Sequence, residues 1–361
     1  MNDSDVLILG SSDVASLLEG AETKILEVIR SAYATHGKGA SALPHSTFLR
    51  FPDDPASRII ALPAYLGGDT NSAGVKWIAS FPDNLQRGLD RASAVLILNS
   101  AVTGRPKAIM EASIISAKRT AASAALAAVT LGEGNYRSAG FVGCGPINFE
   151  IARFLRSAFP QLRRLIAFDL QPDRARVFRD RCEEHLGAVD VQIAGDMNDV
   201  TDRTSLISFA TNAGTPYIDT LNCRPGTLIL HVSLRDLSPE LILSADNVVD
   251  DIDHVCRAQT SIHLAEQRAG GRDFIRCTLA EVLAESAPAS SAASDLTIFS
   301  PFGLGVLDVA LADYVFRRAA DTQKGLVVSS FLPGSWPHSA SPRSRQPEYF
   351  ENVPEERWIA Q

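Results

Sequence analysis

An apolar run, Phe141-Val142, leads into Gly143-Cys144-Gly145-Pro146-Ile147-Asn148, and helical spacing follows through Phe149-Glu150-Ile151-Ala152-Arg153-Phe154-Leu155. A strand, a tight glycine turn and a helix N-terminus in that order can hold a pyrophosphate. Glycines let the backbone approach the ligand, and the unpaired N–H groups of the first helical turn face its negative charge. Only two glycines of the G-x-G-x-x-G pattern are present, and Asn148 stands where the third is expected. An ordinary strand–turn–helix is therefore the competing reading. A second apolar run, Leu165-Ile166-Ala167-Phe168, ends in Asp169 at about the separation at which a carboxylate takes the ribose hydroxyls of a dinucleotide. That acid favours NAD over NADP, because it accepts from both hydroxyls and repels a 2′-phosphate, although Arg174 and Arg176 stand nearby.

Three further charged residues fall in patterns that invite chemistry. Lys76 sits among Val75, Trp77 and Ile78, neighbours that disfavour a solvated face, although a lysine in such a run can reach water along its own stem. Arg119 lies in an alanine-rich helical stretch; a salt bridge is its bland role, and a bidentate grip on a substrate carboxylate its functional one. Asp236 follows the run Leu228–Val232 at the expected carboxyl end of a parallel sheet, where ligands bind, but Leu237-Ser238-Pro239-Glu240 also fits a turn or helix cap.

The elements that must position these residues divide in two. Short strand-like pieces at 46–50, 58–63, 74–81 and 94–99, separated by Pro-, Gly- and Asp-bearing turns, predict an antiparallel, hairpin-rich sheet after a strand at 6–9, a helix capped from Ser11-Ser12-Asp13 and a helix at 21–36. A long helix is predicted over 111–131. From 139 strands alternate with stretches that look helical (139–143, 164–169, 189–194, 205–210, 227–232 and 246–250), which predicts a parallel sheet covered by helices. Thr297–Ser300 ends that run, and a helix at 306–320 leads to a last strand at 325–330. The fold class expected is α/β, with a parallel sheet covered by helices from about 130 and a return to the first part near 305.

The 361 residues suffice for two domains with sizeable cores. A net charge of -8, from 34 basic and 42 acidic residues without a basic block, argues against nucleic acid as a partner. The five cysteines form no C-x-x-C pair, so neither a metal site nor a disulfide framework is expected. With no apolar leader or membrane-length apolar run, a cytoplasmic protein with no membrane partner is expected.

Taken in order, Gly74-Val75-Lys76-Trp77-Ile78, Phe81-Pro82-Asp83-Asn84, Arg119-Thr120-Ala121-Ala122, the Gly143/Gly145 turn, Asp236, and Phe302-Gly303 with Asp308 resemble the ornithine cyclodeaminase/mu-crystallin family over about residues 5 to 330. Lys76-Trp77-Ile78, Arg91-Ala92-Ser93 and Glu111-Ala112-Ser113 resemble most the branch that makes 2,3-diaminopropionate for siderophores and peptide antibiotics. The resemblance implies a homodimer of two-domain subunits, a Rossmann-type parallel-sheet domain inserted in a mixed α+β substrate and dimerisation domain. Residues 1–130 and 305–332 would form the substrate and dimerisation domain and 131–304 the dinucleotide-binding domain, with 333–361 a tail.

It further implies that Lys76 and Arg119 bind the substrate carboxylate, that Thr120 reaches substrate and cofactor, and that Asp236 is the acid/base, although an ungapped alignment puts Arg235 there. Relatives carry an additional arginine near Pro44-His45-Ser46; this chain lacks it there, and Arg50 is the substitute for a second carboxylate. Thr211, Asn212 and Ser233 would line the nucleotide beside the 143–148 turn, and His231 would be a core or cofactor-contact residue. Ser300, Phe302 and Gly303 would close over the nicotinamide. Asp308 would hold a substrate amino group or pair structurally.

The activity implied is NAD-dependent oxidative hydrolysis of N-(1-amino-1-carboxy-2-ethyl)-L-glutamate to 2,3-diaminopropionate and 2-oxoglutarate. The alternatives are ornithine cyclisation, ketimine reduction or pyruvate amination, and ligand binding without turnover.

Overall fold

Two eight-stranded sheets divide the chain's hydrophobic patterns between them in the computed structural model, which describes residues 3–132, 134–291 and 295–333. Apart from Pro333, the expected tail at 333–361 lies outside the described residues. The first sheet contains β1 (Val6–Leu9), β2 (Ser41–Ala42), β3 (Thr47–Phe51), β4 (Asp54–Leu66), β5 (Ser72–Ser80), β6 (Ala92–Ser100) and β7 (Pro106–Glu111). The second contains β8 (Ser138–Val142), β9 (Arg164–Phe168), β10 (Asp190–Ile193), β11 (Leu206–Phe209), β12 (Thr227–His231), β13 (Asp246–Val249), β14 (Ile275–Thr278) and β15 (Leu296–Ser300). A last strand, β16 (Leu326–Val328), returns to the first sheet beside β1.

The first sheet runs β16-β1-β7-β6-β5-β4-β2, with β3 paired to β4. It is mixed, not purely antiparallel, because β1 lies parallel to β7. The sequence reading missed β7; Pro106 opens it, a position where a missing N–H is tolerated. Along β5 the side chains alternate, so Lys76 shares a face with Ser72 and Gly74 while Trp77 points the other way, 43% exposed. The helix Gly305–Thr322 packs on the Lys76 face: a Cβ on Gly74 would sit 3.4 Å from Val309 Cγ2.

The second sheet is parallel throughout, in the order β10-β9-β8-β11-β12-β15-β13-β14. Its order reverses between β8 and β11, the switch point at which open parallel sheets bind ligands, and the glycine turn leaves β8 there. β11 and β12 are buried along their whole length, as expected of strands covered on both faces. Each fully buried Phe, Leu, Ile or Val in these strands, such as Phe141, Phe209 and Phe299, contributes roughly 1.5–3 kcal/mol.

Three local expectations differ. The segment between β11 and β12 is not helical; it is open chain with one isolated bridge, Ile218 to Leu237. β14 went unseen because Ile275–Thr278 is short and follows a polar stretch. The first helix, Ser11–Leu18, takes Gly10 as its N-cap, and Asp13 reaches back to accept from the Gly10 N–H at 3.1 Å.

The helix Ser113–Leu131 is apolar and long enough to cross a membrane by length and composition, but 67% of that stretch is buried inside the protein. Its alanines let neighbouring helices approach closely, and polar residues leave it on separate faces. Lys118 turns to Glu150 on the helix Pro146–Ala158 at 3.3 Å, while Arg119, one position on, turns to Asp308. A step of 100° per residue makes that split unavoidable.

Candidate active site

Lys76 from β5, Arg119 from the helix Ser113–Leu131 and Asp308 from the first turn of Gly305–Thr322 meet in a buried cluster. Lys76 Nζ donates to Asp308 Oδ2 at 2.7 Å and to Ser116 Oγ at 3.1 Å. Arg119 Nε donates to Asp308 Oδ1 at 2.9 Å. Lys76 and Asp308 are each 1% exposed and Arg119 8%. Asp308 stands near a helix N-terminus, which favours its negative charge.

One carboxylate shared by two cations leaves one positive charge in excess, in a place where an uncompensated charge is costly. Burial pushes the Lys76 ammonium down to about 8, Arg119 repulsion adds to the fall, and Asp308 only partly restores it. An incoming carboxylate would neutralise the excess. Asp308 thus holds the chain's own cations in place; it is the structural alternative for this residue that the geometry displays.

A roof lies over this cluster. Gly303 has φ of 92°, and a Cβ there would fall 2.6 Å from Arg119 Nη1, so only glycine lets the loop lie on the guanidinium. Asp250, at the end of β13, fixes the loop by accepting from the Phe302 N–H at 2.8 Å and the Gly303 N–H at 2.7 Å. Burial outweighs those bonds and raises the Asp250 carboxyl to about 6.

The glycine turn has a different division of labour than its spacing suggests. Gly143 has φ of 88°, and a Cβ would meet the Ala210 carbonyl at 2.6 Å, so the turn itself demands glycine. Gly145 caps the helix Pro146–Ala158 in extended conformation, and a Cβ there meets only Arg174 Nη2 at 3.5 Å. Cys144 N donates to Asp169 Oδ2 at 2.7 Å, and Arg174 Nε lies 3.6 Å from the same oxygen, so the acid and the turn are held together. Pro146 and Ile147 open the helix.

The Asn148 side chain turns inward from the glycine turn. It is fully buried, with Nδ2 donating to the carbonyls of Val142 at 3.0 Å, Gly143 at 2.6 Å and Ser208 at 3.4 Å, and Oδ1 accepting from Ser208 Oγ at 2.7 Å. It ties β8, the turn and β11 together.

Asp236, the expected acid/base, is enclosed in the same way. It is 0% exposed, and its carboxylate accepts from Thr211 Oγ1, Ser233 Oγ and, at 3.3 Å, Tyr217 OH, with His231 Nε2 also 3.3 Å away. Burial alone would raise it; His231 and the two hydroxyls outweigh that and hold it below the usual range. A carboxylate so enclosed is a brace. Thr211 and Ser233 spend their hydroxyl protons inward, on Asp236 or the Phe209 carbonyl, and not on an open cleft.

The remaining expected residues are spread more widely. Asn212 is exposed beside the same crest. Thr120 donates back to the Ser116 carbonyl at 2.7 Å. Arg50 is exposed on β3, 5.6 Å from the Phe48 ring centroid, and lines a small cavity with Phe302. Ser116 and Asp250 were missed by sequence reasoning. Ser116 stands three residues before Arg119, the helical spacing that brings side chains together, and Asp250 ends a buried strand at the ligand edge of its sheet.

Comparison with known proteins agrees with this architecture. The chain is 26% identical over 335 residues to N-((2S)-2-amino-2-carboxyethyl)-L-glutamate dehydrogenase of Staphylococcus aureus, covering 91% of this chain and 99% of the relative. It is 28% identical over 332 residues to alanine dehydrogenase of Archaeoglobus fulgidus, with the same coverage of 91% and 99%. Among solved structures, an archaeal alanine dehydrogenase dimer with bound NAD superposes with a TM-score of 0.81 at 27% identity, covering 90% of this chain and 99% of that one. Residues 6–323 match the family model as well, and the chain belongs to the ornithine cyclodeaminase/mu-crystallin family.

Proposed function

We propose that this protein is an NAD-dependent oxidoreductase acting at a carbon–nitrogen bond of an amino acid, and specifically that it cleaves N-(1-amino-1-carboxy-2-ethyl)-L-glutamate to 2,3-diaminopropionate and 2-oxoglutarate. The observation that carries the reading is the buried Lys76–Asp308–Arg119 cluster with its one excess positive charge. The Staphylococcus relative supports the substrate, and the NAD-bound archaeal structure supports the cofactor and a homodimer.

The glycine turn fits a dinucleotide. Gly145 leaves open space at a helix N-terminus, Arg174 flanks it, and Asp169 stands within reach of the turn. Gly143, Gly145, Ile147 and Asp169 would hold NAD, with Phe302 and Gly303 above it. When bound, NAD supplies the acceptor for the hydride on the substrate carbon, leaving an imine on the substrate for water to open.

Arg119 takes the substrate carboxylate and so fixes the orientation of that carbon, which is where positioning contributes most. Lys76, lowered to about 8, then serves in its neutral form as the proton acceptor for the attacking water, a part for which Asp236 is the other candidate. Addition of water gives a carbinolamine, which collapses to the amine and the 2-oxo acid. The five cysteines, none in a disulfide, accord with a reducing compartment, the cytoplasm.

The test is direct. Purified protein with NAD and the glutamate conjugate should develop nicotinamide absorbance stoichiometric with 2-oxoglutarate, and ornithine should give none. Absorbance with alanine and not the conjugate would replace the substrate by the one named for the Archaeoglobus relative.

Two glycine variants test the cofactor site separately. Gly145→Ala should fold, losing no more than about 1 kcal/mol as a poorer helix cap, yet bind NAD at least tenfold more weakly in a fluorescence titration. Gly143→Ala should instead lose about 1–3 kcal/mol in urea unfolding, because its backbone and the Ala210 carbonyl both forbid a side chain.

A further inference from the structure

Beside the Lys76 cluster lies a cavity of about 240 Å³ lined by His45, Phe48, Arg50, His254, Arg257 and Phe302. Phe302 joins the two places: its ring is 6.2 Å from that of His254, and the next residue, Gly303, rests on Arg119. That volume leaves room for an acid-bearing arm.

The polar lining is basic, and its two arginines lack acidic partners among the described residues. Neither Arg50 nor Arg257 pairs with a carboxylate among the described residues; Arg257 donates only to His45 Nδ1. Arg235, nearby, donates to the Ala258 carbonyl at 2.7 Å and is held below its ordinary range by burial and by repulsion from Arg58 and Arg50.

His254 is the telling member. It is 7% exposed, and its Nδ1 bonds Asp251 Oδ1 at 2.8 Å, but its buried Nε2 has no well-formed partner. The Pro44 carbonyl is near enough to favour the protonated ring without completing that bond. A buried polar atom left unmatched costs free energy and calls for an explanation. Burial works against charge on this imidazole, but the bond to Asp251 and the charges of Asp251 and Asp250 outweigh it, so its ionisation is raised. His45, Arg50 and Arg257 face it from the cavity side, and His36 touches the other oxygen of Asp251 at 3.3 Å.

We propose that this cavity is a subsite for a second carboxylate of the substrate, at the end remote from the reacting carbon, received by His254, Arg257 and Arg50. The substrate class is then an amino acid conjugate with acid groups at both ends. Simple monocarboxylates such as alanine or ornithine would leave the subsite unmatched. The inference deepens the function proposed above and rests on the Lys76–Arg119 cluster as the site of the first carboxylate.

Calorimetric titration of the full-length protein with NADH present, using 2-oxoglutarate and 2-oxovalerate as probes, tests it. These acids share a head and differ in the terminal carboxylate. 2-Oxoglutarate should bind at least tenfold tighter, as expected of a charge-assisted contact, and this ratio should fall toward one in both His254→Gln and Arg257→Gln. Arg257 is exposed, so its variant reports on the subsite even if the His254 variant folds poorly. The ratio should also shrink as pH rises and His254 loses its charge, since the anion prefers the protonated ring. A ratio near one in the unaltered protein, or one unchanged in Arg257→Gln, overturns the proposal. Absence of turnover with the glutamate conjugate, with the binding ratio intact, removes the proposed reaction and leaves the subsite standing.

Discussion

Replacing Lys76 by methionine should lower kcat/KM for the glutamate conjugate by roughly 10²–10⁴-fold while leaving the melting temperature unchanged or higher. The two halves of that result have one cause. Lys76 is the excess buried cation, and its ammonium is already pushed down to about 8 by burial and by Arg119. Removing it leaves Asp308 and Arg119 as a neutral pair in an apolar setting, so the fold loses a strained charge and the reaction loses its base. The sign of the pH dependence follows. Water activation needs neutral lysine, so kcat/KM in the oxidative direction should climb with pH through about 8 and then level. In Lys76→Met that limb should vanish, and a pH profile that keeps it would assign the base to another group.

The opposite change should do the opposite. Asp308→Asn leaves Lys76 and Arg119 facing each other without a counterion, and breaking a buried pair from one side costs about 3–5 kcal/mol. Urea unfolding should show that loss. The double variant Lys76→Met with Asp308→Asn should recover part of it, since one buried cation is gone, and the difference gives the coupling energy directly. Additive losses in the double variant would mean that the two side chains do not share the cluster's charge.

The fold was legible because its long signals are consistent with one another. The alternation from β8 to β13 announced a parallel sheet, and the 21–36, 111–131 and 306–320 periods announced helices that the structure contains. What escaped were β2, β7 and β14, short strands whose partners, not their composition, define them.

For the site, residue type and neighbours singled out Lys76 and Arg119, because a charged residue inside an apolar pattern is improbable without a purpose. Direction was not legible. Asn148 and Asp236 lie beside the expected crevice in sequence, yet their side chains turn into the protein, and no spacing rule reveals that. His254 and Arg257 were invisible for another reason: they follow β13 and meet β3 only through tertiary packing, more than 200 residues away in the chain.

Asn148 carries one more consequence. Where a third glycine would merely leave room, this amide stitches two strands and the bend between them before any ligand arrives. The nucleotide then meets a mould already set, with little chain entropy left to surrender on docking. Thermal protection by NAD should therefore track its concentration through simple mass action, and amide exchange at Gly143 and Cys144 should be slow even in the empty protein.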